Sequence, residues 1–387
     1  MRIAIVTENF LPKLDGVTRT LAMTLEHLHR HGHRALVMGP THAVRRYEGA
    51  LVLRAPGIPL PFYPEIRLLF PPRRFKRALE RFRPDVVHVV DPMAMGAVGV
   101  SWARKLGVPV LATYHTNLAA YCAHYGFAKL ENPTWAYRRR LHNQCALTLC
   151  PSPSTASQLI RRGFERVGVW PRGVDSVLFR PDRRSSDWRR GVTGTEGGHI
   201  VLYVGRLSHE KNLSMLVDAF RVLGRRDTHF VLVGDGPARP DLQRQLTGQR
   251  VTFTGYLRGE ELATAYASAD VFAFPSETET FGQVVFEAMA SGLPVVARAA
   301  EGVCDLVTHG ETGYLAPTND PAQFAAAIEL ALDEDKRRRA MGARGRAIAE
   351  RNSWERVLVR LVEMYRDLSC GDVATVPAPR AQVEVCG

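Results

Sequence analysis

No apolar run in this 387-residue sequence reaches the roughly 18 residues that a membrane-spanning helix needs. Met1-Arg2 leads straight into Ile3-Ala4-Ile5-Val6 and then into polar Thr7-Glu8-Asn9. That is too short and too soon polar for a signal peptide, so a first buried strand in a cytoplasmic chain is expected. Cysteine is scarce: Cys122, Cys145, Cys150, Cys304, Cys370 and Cys386 form no CxxC and no metal-like spacing with histidine. A disulfide scaffold and a zinc ribbon are therefore unsupported, and free thiols are expected. GxGxxG and Walker phosphate loops are absent, which removes the sequence support for nicotinamide dinucleotide binding and P-loop ATP hydrolysis. The 32 glycines and 24 prolines follow no period, and 45% apolar with 23% charged residues is an ordinary globular composition.

What is present is an uneven charge. Residues 1–180 hold 26 Lys/Arg against 11 Asp/Glu, a net of +15, while residues 181–387 hold 25 against 28, a net of −3. A composition habit of Arg-rich surfaces would act on both halves. The excess in one half points to an anionic partner there: phosphate, nucleic acid or an anionic lipid leaflet.

Short apolar runs alternate with amphipathic stretches, the mark of βαβ units and a parallel sheet. Arg2–Thr7, Arg34–Met38, Asp85–Val90 and Pro109–Tyr114 read as strands, and Val17, Leu21, Leu25 and Leu28 mark a helix stopped at Gly32. Residues 180–199 are rich in Arg, Ser, Gly and Thr and read as a joint, after which the pattern restarts. The expectation is an α/β protein of two doubly wound, Rossmann-like domains facing a central cleft, one at 1–180 and the other at 197–353. A helix at 354–368 and a mobile tail at 369–387 would follow. In such sheets ligands sit beyond the carboxyl ends of the strands.

The strongest local feature is Ser276 to Met289. A buried strand ends in Pro275, and a polar loop then opens a helix through Phe281, Gly282 and Gln283. Glu279 and Glu287 are eight residues apart, about 80° around a helix axis, so both can face a ligand laid along the helix start. Glu279 equally suits a first-turn acid that complements the helix dipole. Glu287 lies among Val284, Val285, Phe286, Ala288 and Met289, where a carboxylate is costly without a partner. Gly205 allows a tight strand exit, and Arg206 and Lys211 follow where a diphosphate would bind, or stand as solvated cations. His115 ends the strand Pro109–Tyr114, and Gly16 lies in the first strand-to-helix turn; each fits a site or a purely structural role. Basic residues interleave with aromatics over 61–77, with Arg73, Arg74, Lys76 and Arg77 at its end, and the theme returns at Trp135–Arg140. That mixture suits a membrane surface, or a solvated basic helix over an aromatic core; no nucleic-acid module accompanies it.

Taken together, Glu279-x7-Glu287, Gly205-Arg206 with Lys211, Gly234-Asp235-Gly236-Pro237 and Ala288–Val296 resemble the family-4 retaining glycosyltransferases of the GT-B fold. Within that family the likeness is to enzymes that glycosylate membrane lipids, the actinobacterial GDP-mannose-dependent α-mannosyltransferases and the sulfoquinovosyl diacylglycerol synthases. The resemblance spans about residues 1–365 and implies that the domain at 1–180 is the acceptor side and the domain at 197–353 binds the nucleotide sugar. It implies that Glu287 accepts from the donor ribose, that Glu279 meets the donor sugar, and that Arg206 and Lys211 hold the diphosphate. Gly16 would close over the phosphates, and His115 would line the reaction centre. Phe281, Gly282 and Gln283 would offer backbone N–H groups, and Tyr256 and Leu257 would border the base. The last helix would cross back to the first domain. No metal or cofactor is expected. The partners implied are a nucleotide sugar, GDP-mannose ahead of UDP-sugars, and a lipid acceptor on an anionic inner leaflet, with no nucleic acid. A UDP-sugar-dependent enzyme acting on a soluble cyclitol or natural product stands as an alternative, as does a nucleotide-sugar-binding protein without transfer activity. Front-face and double displacement both remain open. The chain departs from the family where Asp15-Gly16 replaces two glycines, and at Ala300–Asp305, to which no role is assigned.

Overall fold

The computed structural model describes residues 1–12, 16–60, 63–119, 127–195, 197–277 and 281–371. They form two compact units, one of Met1–Arg172 joined by the chain from Glu355 onward, the other of Gly173–Trp354.

The first unit is built on β1 (Arg2–Thr7), β2 (Arg34–Pro40), β3 (Arg46–Tyr47), β4 (Ala50–Ala55), β7 (Val86–Val90), β8 (Val110–Thr113), β9 (Leu147–Cys150) and β10 (Val167–Val169). Their order is β10-β9-β8-β7-β1-β2-β4-β3, parallel throughout except for the short edge strand β3. Ile3, Ala4 and Ile5 are fully buried, as a parallel strand covered on both faces requires. Helix Gly16–Arg30 buries Leu21, Leu25 and Leu28 on the stripe read from the sequence. Gly32, at φ 71°, ends it, and the His33 N–H returns to the Leu28 carbonyl at 2.8 Å. Not expected from the sequence, β5 (Gly57–Leu60) and β6 (Tyr63–Leu69) pair as an antiparallel hairpin. Its prolines break the alternation by which a strand is recognised.

The second unit carries β11 (His199–Val204), β12 (Thr228–Val233), β13 (Val251–Gly255), β14 (Val271–Phe274), β15 (Val295–Arg298) and β16 (Gly313–Ala316) in the order β13-β12-β11-β14-β15-β16, all parallel. The stretch read as a joint is folded here. Ser185 caps a helix over Ser186–Thr193, and Arg184 and Arg189 bond the buried Asp270 carboxylate at 2.7 and 2.9 Å. Composition saw polar residues; it could not see their distant partner.

The last helix, Trp354–Cys370, belongs to the first unit from Glu355 onward. Leu358, Leu361 and Tyr365 are buried, the Trp170 indole donates to the Val357 carbonyl at 3.0 Å, and the Tyr365 hydroxyl lies 2.7 Å from His88 Nδ1. The helix runs past residue 368, and the remainder of the expected tail, 372–387, lies outside the described residues. Cys145, Cys150 and Cys370 are free thiols, but Cys304 is held in a disulfide, which corrects the expectation at that position. Among the described residues no helix is long and apolar enough to cross a membrane.

Candidate active site

In the second unit the loops after β11, β12 and β13 are knitted through main-chain bonds. Gly205 N–H donates to the Val233 carbonyl at 3.0 Å, Gly234 N–H to Gly255 at 2.8 Å and Leu207 N–H to Asp235 at 2.9 Å. A Cβ on Gly234 would lie 1.9 Å from the Gly205 carbonyl oxygen, so glycine is required for this approach. The result is a shallow floor at the carboxyl ends of the strands, from which Arg206 projects as an exposed side chain. Lys211 ends a 3₁₀ turn, His209–Lys211, and its Nζ stands 5.9 Å from the centroid of the buried Phe274 ring. That contact sets the ammonium at the carboxyl end of β14. Tyr256 is 64% exposed and its hydroxyl donates to the Asp235 carbonyl at 3.0 Å, leaving the ring as a platform on the rim, while Leu257 is half-buried against the core.

The helix Gln283–Ala290 starts at Gly282, whose φ of 82° is open to glycine at little cost. Glu287 is buried in its second turn, 3.3 Å from the Tyr266 hydroxyl. Two of the residues expected to offer backbone N–H groups have their side chains engaged elsewhere. The Phe281 ring is buried edge-on against Phe286, which leaves its backbone as the polar part. The Gln283 side chain donates to the Gly173 carbonyl at 3.1 Å. Glu279 lies outside the described residues.

In the first unit the loops after β1, β7 and β8 gather a second set. His115 is 7% exposed, and Arg172 reaches its Nδ1 at 3.2 Å. A guanidinium can only donate, so Nδ1 accepts and the proton resides on Nε2. Burial, with the Arg172 charge beside it, holds this imidazole well below the ordinary histidine range. His115 is thus a neutral hydrogen-bond donor near pH 7. The same Arg172 donates to the Gly16 carbonyl at 2.6 Å and to Thr20 Oγ1, pinning the start of helix Gly16–Arg30. Arg138 is fully buried, paired to Asp91, bonded to the Thr116 carbonyl at 2.7 Å and stacked 4.3 Å above the Tyr114 ring. It therefore holds the loop that bears His115.

Both units match known families. Residues 14–177 fit the family described as Glycosyltransferase Family 4, and residues 185–348 fit Glycosyl transferases group 1. A GDP-mannose-dependent alpha-mannosyltransferase of Mycobacterium tuberculosis is 40% identical over 371 residues, covering 94% of this chain and 96% of that protein. The chain belongs to the family-4 glycosyltransferases. Sulfoquinovosyl transferase SQD2 of Arabidopsis thaliana is 35% identical over 90% of this chain and 70% of its own length. An alpha-monoglucosyldiacylglycerol synthase of Streptococcus pneumoniae is 30% identical over 81% of this chain and 75% of its own. Sucrose-phosphate synthase of Thermosynechococcus elongatus shares the fold, with a TM-score of 0.78 over 96% of this chain and 99% of that one at 23% identity. The architecture of this glycosyltransferase is therefore GT-B, with two Rossmann-like, parallel-sheet domains.

Sequence reasoning missed three polar residues of this glycosyltransferase: Arg172, Arg138 and Glu8. Glu8 ends β1, is 7% exposed, and accepts from the N–H groups of Met95 and Gly96 at 2.9 and 3.1 Å. Its second oxygen has no hydrogen-bond partner, and the residue borders a cavity of about 40 Å³ lined also by Asn9, Asp91, Met93 and Thr116. Burial raises its carboxyl from 4.5 to about 7, against the lowering effect of the backbone donors. The folded chain therefore keeps a proton that the unfolded chain has lost, and stability falls as pH rises from about 4.5 to 7. The fall is on the order of 3 kcal/mol. Glu8→Gln is expected to flatten that part of the curve of unfolding free energy against pH; an unchanged slope in the variant refutes the assignment.

The basic helix is Arg73–Phe82. Arg73, Arg74, Lys76 and Arg77 are all exposed, with Lys76 3.6 Å from Glu80, while Phe75 and Leu79 face the core. The helix thus presents charge rather than an apolar stripe, and Phe70 and Ile58, 52% and 64% exposed, supply the nearby apolar surface. The second basic and aromatic stretch is structural in part: Trp135 and Arg138 are buried.

Proposed function

We propose that this glycosyltransferase moves mannose from GDP-mannose, with retention at the anomeric carbon and without a metal, to a hydroxyl of a membrane glycolipid at the inner face of the membrane. The observation that carries the reading is likeness along nearly the whole chain to an enzyme whose name states both donor and sugar. A lipid acceptor is favoured by the lipid product named for a second relative and by the exposed cations of helix Arg73–Phe82. Departure of GDP builds negative charge on the diphosphate. Arg206, Lys211 and the helix start at Gly282 would meet that charge as it develops, and such preorganised stabilisation commonly dominates the rate acceleration. Glu287 would accept from the ribose hydroxyls and Glu279 would hold the sugar. His115, as a neutral donor, would bond a sugar hydroxyl, and the leaving phosphate would take the acceptor proton in a front-face displacement.

Calorimetric titration with GDP and UDP tests the donor. GDP binding at least tenfold tighter is expected; a preference for UDP would move the reading to a glucosyl, N-acetylglucosaminyl or sulfoquinovosyl donor and reopen a soluble acceptor. The acceptor side is tested by flotation on vesicles carrying anionic lipid. Each cation close to such a surface contributes about 1 kcal/mol, so changing Arg73, Arg74, Lys76 and Arg77 together to glutamine should abolish flotation at physiological salt. Flotation that survives the change would remove this helix from the membrane contact.

A further inference from the structure

Outside the sites already described, the first unit brings together two imidazoles and a carboxylate. His27 and His31 lie four residues apart at the end of helix Gly16–Arg30, and the His31 N–H bonds the His27 carbonyl at 3.1 Å, so the helical turn continues through both. Both rings therefore project from one side, with centroids 4.1 Å apart. Glu355, in the first turn of the last helix, reaches across with one oxygen to each: Oε2 is 3.4 Å from His27 Nδ1 and Oε1 is 3.6 Å from His31 Nε2. The three ligand atoms lie within 4.8 Å of one another, the one such grouping of His, Cys, Asp and Glu among the described residues.

Three details point to a cation rather than to a simple ion pair. His27 is 2% exposed, yet its Nδ1 has no hydrogen-bond partner and faces the carboxylate. His31 Nδ1 stands 2.9 Å from the His27 carbonyl, which can only accept, so Nδ1 carries the proton and Nε2 offers its lone pair toward Glu355. A backbone carbonyl holding the far nitrogen is the usual support of a metal-ligating histidine. Two of the three spacings fit as well: ligand atoms at about 2.0–2.1 Å from one tetrahedral ion lie about 3.3 Å apart, against 3.4 and 3.6 Å from the two imidazole nitrogens to Glu355. Arg30 competes, with a guanidinium nitrogen 3.3 Å from Glu355 Oε2, but it is 57% exposed and can swing away.

We propose that His27 Nδ1, His31 Nε2 and the Glu355 carboxylate form a binding site for a zinc-class divalent cation, with water completing the coordination. Two imidazoles and one carboxylate are a donor set for zinc and its first-row neighbours rather than for magnesium or calcium. The ion would tie the first turn of the last helix to helix Gly16–Arg30. Within the first unit it stands at the opposite end of helix Gly16–Arg30 from Gly16, so the site is compatible with metal-independent transfer.

The test is titration of the untagged, chelator-treated full-length protein with Zn²⁺ by calorimetry, and with Co²⁺ by visible absorption. One equivalent should bind, and Co²⁺ should give the intense bands of a tetrahedral site. His31→Gln and Glu355→Gln, both at partly exposed positions, should each weaken binding at least tenfold, and His29→Gln should leave it unchanged. Circular dichroism of each variant shows that it is folded. Wild-type protein that binds no zinc, or that binds it equally well in His31→Gln and Glu355→Gln, would overturn the proposal and leave a charge network of Arg30, His27, His31 and Glu355.

Discussion

Lys211→Ala is expected to lower turnover by about 10²–10³-fold, or about 3–4 kcal/mol in the transition state, with protein stability nearly unchanged. The argument starts from placement. The side chain issues from a 3₁₀ turn whose Lys211 N–H bonds the Ser208 carbonyl at 3.1 Å, and its ammonium is set beside the Phe274 ring. A cation fixed in this way meets developing charge without reorganising, whereas a solvated lysine would have to be recruited. Because the diphosphate is already charged in the ground state, part of the loss should appear in donor affinity and the larger part in kcat. Glu287→Ala should differ in kind: it removes a buried acceptor facing Tyr266, so GDP affinity should fall along with turnover. Steady-state kinetics with calorimetry of GDP separates the two. Near-normal turnover in Lys211→Ala would remove it from the reaction.

Arg138→Leu is expected to cost 3–5 kcal/mol of folding free energy, roughly the amount seen when one partner of a buried pair is removed. Asp91 would be left with a 16% exposed carboxylate and no guanidinium, the Thr116 carbonyl would lose its donor, and the contact over Tyr114 would vanish. Urea denaturation measures the loss. The double variant Arg138→Leu with Asp91→Asn should cost less than the two single changes summed, because the stranded charge is gone. Additivity would show that the two residues act separately. Activity should fall further than stability, since Tyr114 and Thr116 flank His115.

These two residues also show what could be read in the sequence and what could not. Lys211 was legible because its signal is local: a strand ending at Val204, a glycine, two cations and a helix, all within a dozen residues. Glu287 was legible for a similar reason, an acid in an apolar helix. The strands were legible because parallel strands buried on both faces are unbroken apolar runs. Arg138 and Arg172 were not, since an arginine among arginines carries no mark until its partner is known. Asp91 lies 47 residues from Arg138, and Gly16 lies 156 from Arg172. Glu8 read as the polar end of a strand, because the helix N-terminus that it meets at Met95 and Gly96 comes from much later in the chain. The hairpin over Gly57–Leu69 was hidden by its own prolines, and the helix over Ser186–Thr193 by the polar residues that anchor it.

The return of the last helix has a consequence for synthesis. In chain order the second unit is an insert within the first, and the ribosome must deliver all of Gly173–Trp354 before Val357 and Tyr365 emerge. At about 5–20 residues per second that interval is roughly 10–40 s. Throughout it the Trp170 indole lacks the Val357 carbonyl and the His88 ring lacks the Tyr365 hydroxyl. The nascent first unit therefore waits with an open seam while Gly173–Trp354 is made. A premature stop shortly before Glu355 would leave that seam open for good, in a polypeptide that still carries every residue assigned to the donor.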